Sequence, residues 1–246
     1  MISKPLILFL FVVIALAACS GNMASVANKP IEQTEQPSKE SSPTKEQTGQ
    51  PGNGSSSGYS DLLVHLNKSH ALPPDYVPPG LVHVTGVSAT RDGMTLRDTV
   101  LEQLREMFIA AGNEGLELVV LSAYRSYQEQ QQIYGREVAQ NGEALASTLV
   151  ARPGHSEHQL GTTVDITSPT IGYTLSQDFQ NTPEGKWLGE NAHRFGFVMS
   201  YPEGKEQVTG YAYEPWHFRY VGIEVATEIK KLKITLEEYL RDRYAN

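Results

Sequence analysis

Hydrophobic and polar positions divide the chain into three stretches. Leu6 to Ala18 is continuously apolar. From Ser20 to Gly58 the sizeable apolar side chains are Met23, Val26 and Ile31, among Ser, Gln, Glu, Lys, Pro, Gly and Thr. From Tyr59 onward, apolar positions recur with the spacings of folded elements. Val100, Leu101, Leu104, Met107, Phe108 and Ala111 fall at helical spacing within Leu96 to Ala111, and Gly112 follows as a stop. Leu116 to Leu121 predicts a short buried strand, and Ser126 to Gln140 a second helix with Gly142 near its end. Thr182-Pro183-Glu184 opens a helix running to Phe195 and ending at Gly196. Phe197 to Tyr201 and Tyr211 to Tyr220 predict extended segments, and Gly222 to Lys231 a helix. Thr235 and Glu238 form a capping-box pattern for a last short helix. Helices and strands mix without a βαβ repeat. The expected fold is therefore α+β, one domain with a small, mostly antiparallel sheet flanked by helices.

The first two stretches predict no fold of their own. The apolar run is about 13 residues long, short of the ~20 that span a bilayer. Lys4 precedes it and small residues end it, as in a secretory signal. Leu16-Ala17-Ala18-Cys19 resembles a bacterial lipoprotein signal, which implies cleavage before Cys19 and lipid attachment to it. Residues 19–58 are too polar to offset the entropy of ordering, which predicts a disordered tether reaching about 31–37 Å as a coil. The expected organisation is a signal peptide over 1–18, a tether over 19–58 and a folded domain over 59–246. The expected location is the outer face of a bacterial cell membrane, held there by the lipid anchor.

Composition narrows the function. The 246 residues carry a formal charge of −8, which argues against a nucleic-acid partner. Cys19 is the only cysteine, so an internal disulfide and a cysteine-based zinc finger are excluded. A metal would have to be held by His and carboxylates.

Two histidines of seven keep unusual company. His158 and Asp165 stand seven positions apart, roughly 10 Å along a helix, which is too far to share an ion. A turn at Gly161 leading into a strand-like Thr162 to Thr167 would bring them together. Glu214 and His217 would point to opposite faces of a strand, so they share a site only if the chain kinks. Two His and one Asp leave a fourth zinc position for water, and Glu214 would serve as base. Spacing alone leaves open that these are ordinary solvated side chains. Arg125, between the LELVVL strand and the next helix, is a candidate for stabilising an oxyanion, or else a surface ion-pairing residue.

Taken together, these pieces resemble the zinc D-alanyl-D-alanine carboxypeptidases of the VanY type. The motif S-x-H-x-x-G-x-A-x-D reads Ser156, His158, Gly161, Thr163, Asp165, and E-x-W-H reads Glu214, Trp216, His217. S-G-Y-R-S reads Ser122, Ala123, Tyr124, Arg125, Ser126, and R-S-Y-x-x-Q continues to Gln130. The resemblance spans Leu63 to Gly222. It implies zinc on His158, Asp165 and His217, Glu214 as catalytic base and Arg125 on the transition state. It further implies Ser156, Gln130 and Trp216 at the substrate site, with a peptidoglycan stem peptide as substrate. Glu157 is a candidate contact for a free amino group of that peptide, or else solvent-exposed. Thr163 in place of Ala, and Ala123 in place of Gly, depart from the pattern and bear on substrate preference. The alternatives are an L,D-carboxypeptidase acting on tetrapeptide stems and a non-catalytic wall-binding lipoprotein. No protein partner is evident. A serine enzyme is not expected: the S-x-x-K of Ser42 to Lys45 lies in the tether, and K-T-G is absent.

Overall fold

A computed structural model describes residues 62–244 of the chain. The expected signal peptide, tether and lipid-bearing Cys19 lie outside the described residues. The element order is β1 (Leu81–His83), β2 (Thr95–Arg97), α1 (Asp98–Asn113), β3 (Val119–Ser122), α2 (Tyr127–Leu149), β4 (Thr163–Thr167), α3 (Pro183–Asn191), β5 (Phe197–Met199), α4 (Glu206–Thr209), β6 (His217–Tyr220), α5 (Ile223–Leu232) and α6 (Leu236–Tyr244). A 3-10 turn, Glu157–Leu160, precedes β4, and another, Ala192–Phe195, precedes β5.

Four strands form an antiparallel sheet in the order β3-β4-β6-β5, and β1 and β2 form a separate antiparallel pair. The α+β expectation therefore holds. The small β1–β2 pair was not foreseen, because three-residue strands carry too little alternation to read. β4 is central and every one of its residues is buried. Alternation sends Val164 and Ile166 of β4, and Phe218 of β6, into the main apolar core. Asp165, His217 and Arg219 take the other face.

Helix α1 closes the core side of that sheet. Its Val100, Leu101, Leu104, Met107 and Ala111 are buried, as their spacing predicts. A smaller core joins Leu63 and Val198 to Val225, Ala226 and Ile229 of α5 and Leu236 and Leu240 of α6. The Thr235–Glu238 capping box forms, with the Thr235 N–H reaching the Glu238 carboxylate at 2.7 Å and the Glu238 N–H reaching Thr235 Oγ1 at 3.0 Å.

Three expectations need correction. Helix α2 does not stop near Gly142: the residue turns to φ 75°, kinks the helix, and the chain resumes helical geometry to Leu149. The helix expected to reach Phe195 ends at Asn191 and tightens into the second 3-10 turn. Of Tyr211 to Tyr220, only the last four residues are strand, because Pro215 lies in a turn.

Leu104 is fully buried in the main core. Leu104→Ala should lower unfolding free energy by ~2–5 kcal/mol, read as a shift in the urea midpoint at constant slope.

Candidate active site

Three chain segments meet at the polar face of β4. Asp165, at the middle of the strand, pairs directly with His217 on β6 and with Ser122 on β3. The 3-10 turn before β4 carries His158 and ends at Gly161, whose φ is 66°. A Cβ there would also come within 3.0–3.2 Å of Pro78, Leu81 and Arg97, so the left-handed backbone calls for glycine and the tight space favours it further. The Gly161 carbonyl accepts the Arg97 N–H at 3.0 Å, fixing the turn against β2. This is the turn that brings His158 back to Asp165. Glu214 and His217 meet through the expected kink: the His217 N–H donates to the Glu214 carbonyl at 3.2 Å, closing a turn around Pro215.

The donor atoms converge. His158 Nε2 lies 3.2 Å from Asp165 Oδ2, and His217 Nδ1 lies 3.3 Å from Asp165 Oδ1. One ligand atom from each of the three residues falls within 4.8 Å of the others, and all three residues are buried. His158 Nε2 and Asp165 Oδ1 make no hydrogen bond among the described residues. Buried polar atoms without partners are costly unless something else binds them. Each imidazole is also held from behind: His158 Nδ1 donates to the Ala123 carbonyl at 2.6 Å, and His217 Nε2 faces Glu157 Oε2 at 2.9 Å. Such partners aim the opposite nitrogen at a metal. Two imidazoles and a carboxylate suit zinc. The residues present therefore fit the ion that the sequence motifs imply.

The electrostatics separate the groups. Burial, reinforced by the Arg125 guanidinium, lowers His158 to about 4. Burial works against charge on His217 too, but the neighbouring Asp165 and Glu157 carboxylates outweigh it and raise it to about 10. Asp165 is held far below the usual carboxylate range: burial opposes the shift, but the two histidines prevail. Burial, with Asp165 nearby, raises Glu214 to about 7. Its Oε2 lies 3.4 Å from His217 Nδ1, so a carboxyl close to half-protonated at neutral pH stands beside the ligands.

Arg125 is fixed from both sides. Its N–H donates to the His158 carbonyl at 3.2 Å, and Ser126 and Glu129 form a capping box that starts α2 directly after it. Burial works against its charge while Asp165, Glu214 and Tyr201 support it, and its Nε is buried without a hydrogen-bond partner among the described residues. This is not a surface ion pair.

The remaining expected residues are less uniform. Ser156 is buried at the head of the His158 turn. Gln130 is buried and donates to the Ala151 carbonyl at 2.7 Å, while its Oε1 has no partner. Trp216 packs against the main core. Thr163 is fully buried and its hydroxyl makes no hydrogen bond. Ala123 supplies the carbonyl that holds His158.

Glu157 corrects the sequence reading. It neither reaches solvent nor is free to meet a peptide amine. It is 4% exposed and engages His217, Ser200 and Arg219. Sequence reasoning also passed over Arg219 and Tyr201. Arg219 was open to inference, since two residues beyond His217 on a strand is the same face. Tyr201, whose ring packs 4.7 Å from that of His217, opens a Tyr-Pro-x-Gly-Lys pattern that resembles the family's but suggested no role for it.

Because His217 holds a proton that a metal ligand cannot keep, zinc uptake near neutral pH should release about one proton. Affinity should rise about tenfold per pH unit across neutrality while His158, already neutral, contributes none of the slope. Calorimetry in buffers of different ionisation enthalpy reads the proton directly; pH-independent affinity would contradict this assignment.

Known proteins are similar to this chain in sequence and in structure. Residues 93–223 match the sequence profile of the family described as VanY: D-alanyl-D-alanine carboxypeptidase. The YodJ protein of Bacillus subtilis (strain 168) is 42% identical over 182 residues, covering 73% of this chain and 67% of its own. Among solved structures, the LdcB LD-carboxypeptidase matches with a TM-score of 0.69 at 41% identity, over 74% of this chain and 86% of that one. A variant of the vancomycin-resistance D,D-pentapeptidase VanY from a VanB-type cassette, solved with Zn(II), matches with a TM-score of 0.63 at 36% identity, over 73% and 99% of the two chains.

Proposed function

The chain belongs to the VanY family of D-alanyl-D-alanine carboxypeptidases, and on that premise we propose that it removes the terminal D-alanine of peptidoglycan stem peptides by D,D-cleavage. At the coarser level, it is a zinc metallocarboxypeptidase of that family, acting on peptidoglycan. The observation that carries the proposal is the convergence of His158, Asp165 and His217 beside a Glu214 carboxyl raised to about 7.

In this reading His158 Nε2, Asp165 and His217 Nδ1 hold the zinc. When bound, zinc supplies a Lewis acid that polarises the scissile carbonyl and brings the pKa of water towards about 7. Glu214 takes the proton from the attacking water, since its burial-raised pKa suits it to both accepting and giving up a proton at neutral pH. It then returns that proton to the departing D-alanine nitrogen. Arg125 places its charge where negative charge develops on the carbonyl oxygen, and its unpartnered Nε leaves donor capacity for that role. Ser156 and the free Gln130 Oε1 offer polar contacts to the peptide. Trp216, half-buried against the main core, completes the substrate site. The Leu16 to Cys19 pattern supports a lipid-anchored protein on the outer face of the membrane, where its substrate is found.

The likeness to the LdcB LD-carboxypeptidase favours a second reading, L,D-cleavage of tetrapeptides by the same residues. Purified protein incubated with tetrapeptide and pentapeptide stems, with and without chelator, separates the two by mass spectrometry. Chelator-sensitive loss of one D-alanine from the pentapeptide alone is expected. Loss from the tetrapeptide alone would transfer the assignment to L,D-cleavage, and cleavage of neither would overturn both.

Glu214→Gln should lower kcat by ~10²–10⁴-fold while zinc content is retained. Arg125→Met should lower kcat by ~10²–10³-fold. Steady-state rates with parallel metal analysis check both.

A further inference from the structure

Behind the metal ligands lies a buried chain of charges that the proposed reaction does not use. Glu157 Oε2 lies 2.9 Å from His217 Nε2 and accepts the Ser200 hydroxyl at 2.6 Å. Its Oε1 accepts Arg219 Nη1 at 2.9 Å. The other terminal nitrogen of Arg219, Nη2, donates to the backbone carbonyls of Leu62 at 3.0 Å and Val64 at 2.7 Å. Arg219 is 0% exposed. An arginine and a glutamate both out of solvent are costly to bury, and the cost is offset only when each donor and acceptor is matched. Here both oxygens of the carboxylate and both terminal nitrogens of the guanidinium have partners, and Arg219 Nε alone of the five atoms has none among the described residues.

We propose that Glu157 and Arg219 are positioning residues that dictate which nitrogen of His217 faces the metal. The inference rests on the zinc reading above. An ionised carboxylate only accepts hydrogen bonds, so the His217 nitrogen facing it must carry the hydrogen. In a neutral imidazole that leaves the lone pair on Nδ1, the nitrogen directed at Asp165. Arg219 holds Glu157 in place as a carboxylate: its Nη1 sits 2.9 Å from Oε1, while its Nη2 is tied to two backbone carbonyls.

The arrangement is a cross-brace. The 3-10 turn supplies the ligand His158 and, one residue earlier, Glu157. Strand β6 supplies the ligand His217 and, two residues later on the same face, Arg219. Each segment therefore gives one residue to the metal and one to the brace, and Glu157 of the first segment orients the ligand of the second. The brace ends on the backbone of residues 62–64, where Leu62 and Leu63 are themselves buried. That short segment is thus part of what holds His217.

The test is zinc affinity by competition with a chromophoric chelator, together with 15N NMR of histidine-labelled, zinc-loaded protein. Wild type should show His217 with a hydrogen on Nε2 and metal on Nδ1. Glu157→Gln turns an amide donor towards either Arg219 or His217, and should weaken zinc binding about 10–100-fold with loss of the protected Nε2–H signal. Ser200→Ala removes one bond to the same carboxylate oxygen and should weaken zinc a few-fold with the Nε2–H signal retained. Arg219→Lys, which cannot span the carboxylate and both carbonyls, should fall between them. Folded Glu157→Gln protein with wild-type affinity and an intact Nε2–H signal would overturn the inference. If that variant does not fold, Ser200→Ala and Arg219→Lys decide it, and wild-type affinity in both would overturn it. Failure of wild-type protein to bind zinc at all would instead defeat the underlying metal assignment.

Discussion

Antiparallel pairing sets Asp165 of β4 directly opposite His217 of β6, and the rest of the site is arranged around that register. A slip of one residue in either strand would turn that strand's ligand into the apolar core and bring Val164 or Phe218 to the polar face. The core prevents the slip, because Val164, Ile166 and Phe218 are packed beneath α1. The hydrophobic pattern that stabilises the sheet therefore also fixes two of the three metal ligands. The third, His158, depends on a local device, the left-handed Gly161 that reverses the chain into β4.

The polar face gathers charge in a place where charge is expensive. Asp165, Glu157 and Glu214 converge on His217, while Arg125 acts with Asp165 and Glu214 and Arg219 pairs with Glu157. Without metal, His217 takes the cationic role and partly neutralises the carboxylates. Exchange of that proton for a divalent ion lets the same side chains serve a folded metal-free protein and a loaded one. Glu214 is the exception: raised rather than lowered, it is the one carboxyl of the group poised to move a proton. Two acids in one pocket with opposite shifts mark a division of labour between holding and reacting.

The sequence made this division legible only in part. The ligands and Glu214 stood out through the resemblance of several ordered motifs to a known family, since spacing alone left them readable as ordinary solvated side chains, and the need for a turn at Gly161 and a kink before His217 followed from simple helix and strand geometry. Both devices are present. The helical periodicity of α1 was readable because its buried positions recur over several turns. The β1–β2 pair escaped because its strands are three residues each. The continuation of α2 past Gly142 escaped because a positive-φ glycine looks the same in sequence whether it ends a helix or bends one. Glu157 was misjudged for a different reason. A glutamate beside a ligand reads as exposed unless its partner is known, and that partner, Arg219, lies 62 residues away. Long-range charge pairing leaves no periodic trace in a single chain.

The central claim is that His158, Asp165 and His217 form one zinc site, with His217 bound through Nδ1. Diffraction from zinc-loaded crystals at the zinc absorption edge tests it most directly. The account predicts one anomalous peak at about 2.0–2.2 Å from His158 Nε2, an Asp165 carboxylate oxygen and His217 Nδ1, with Glu214 beside the ion but not replacing a ligand. A peak on other residues, or coordination through His217 Nε2 with Glu157 displaced, would contradict it.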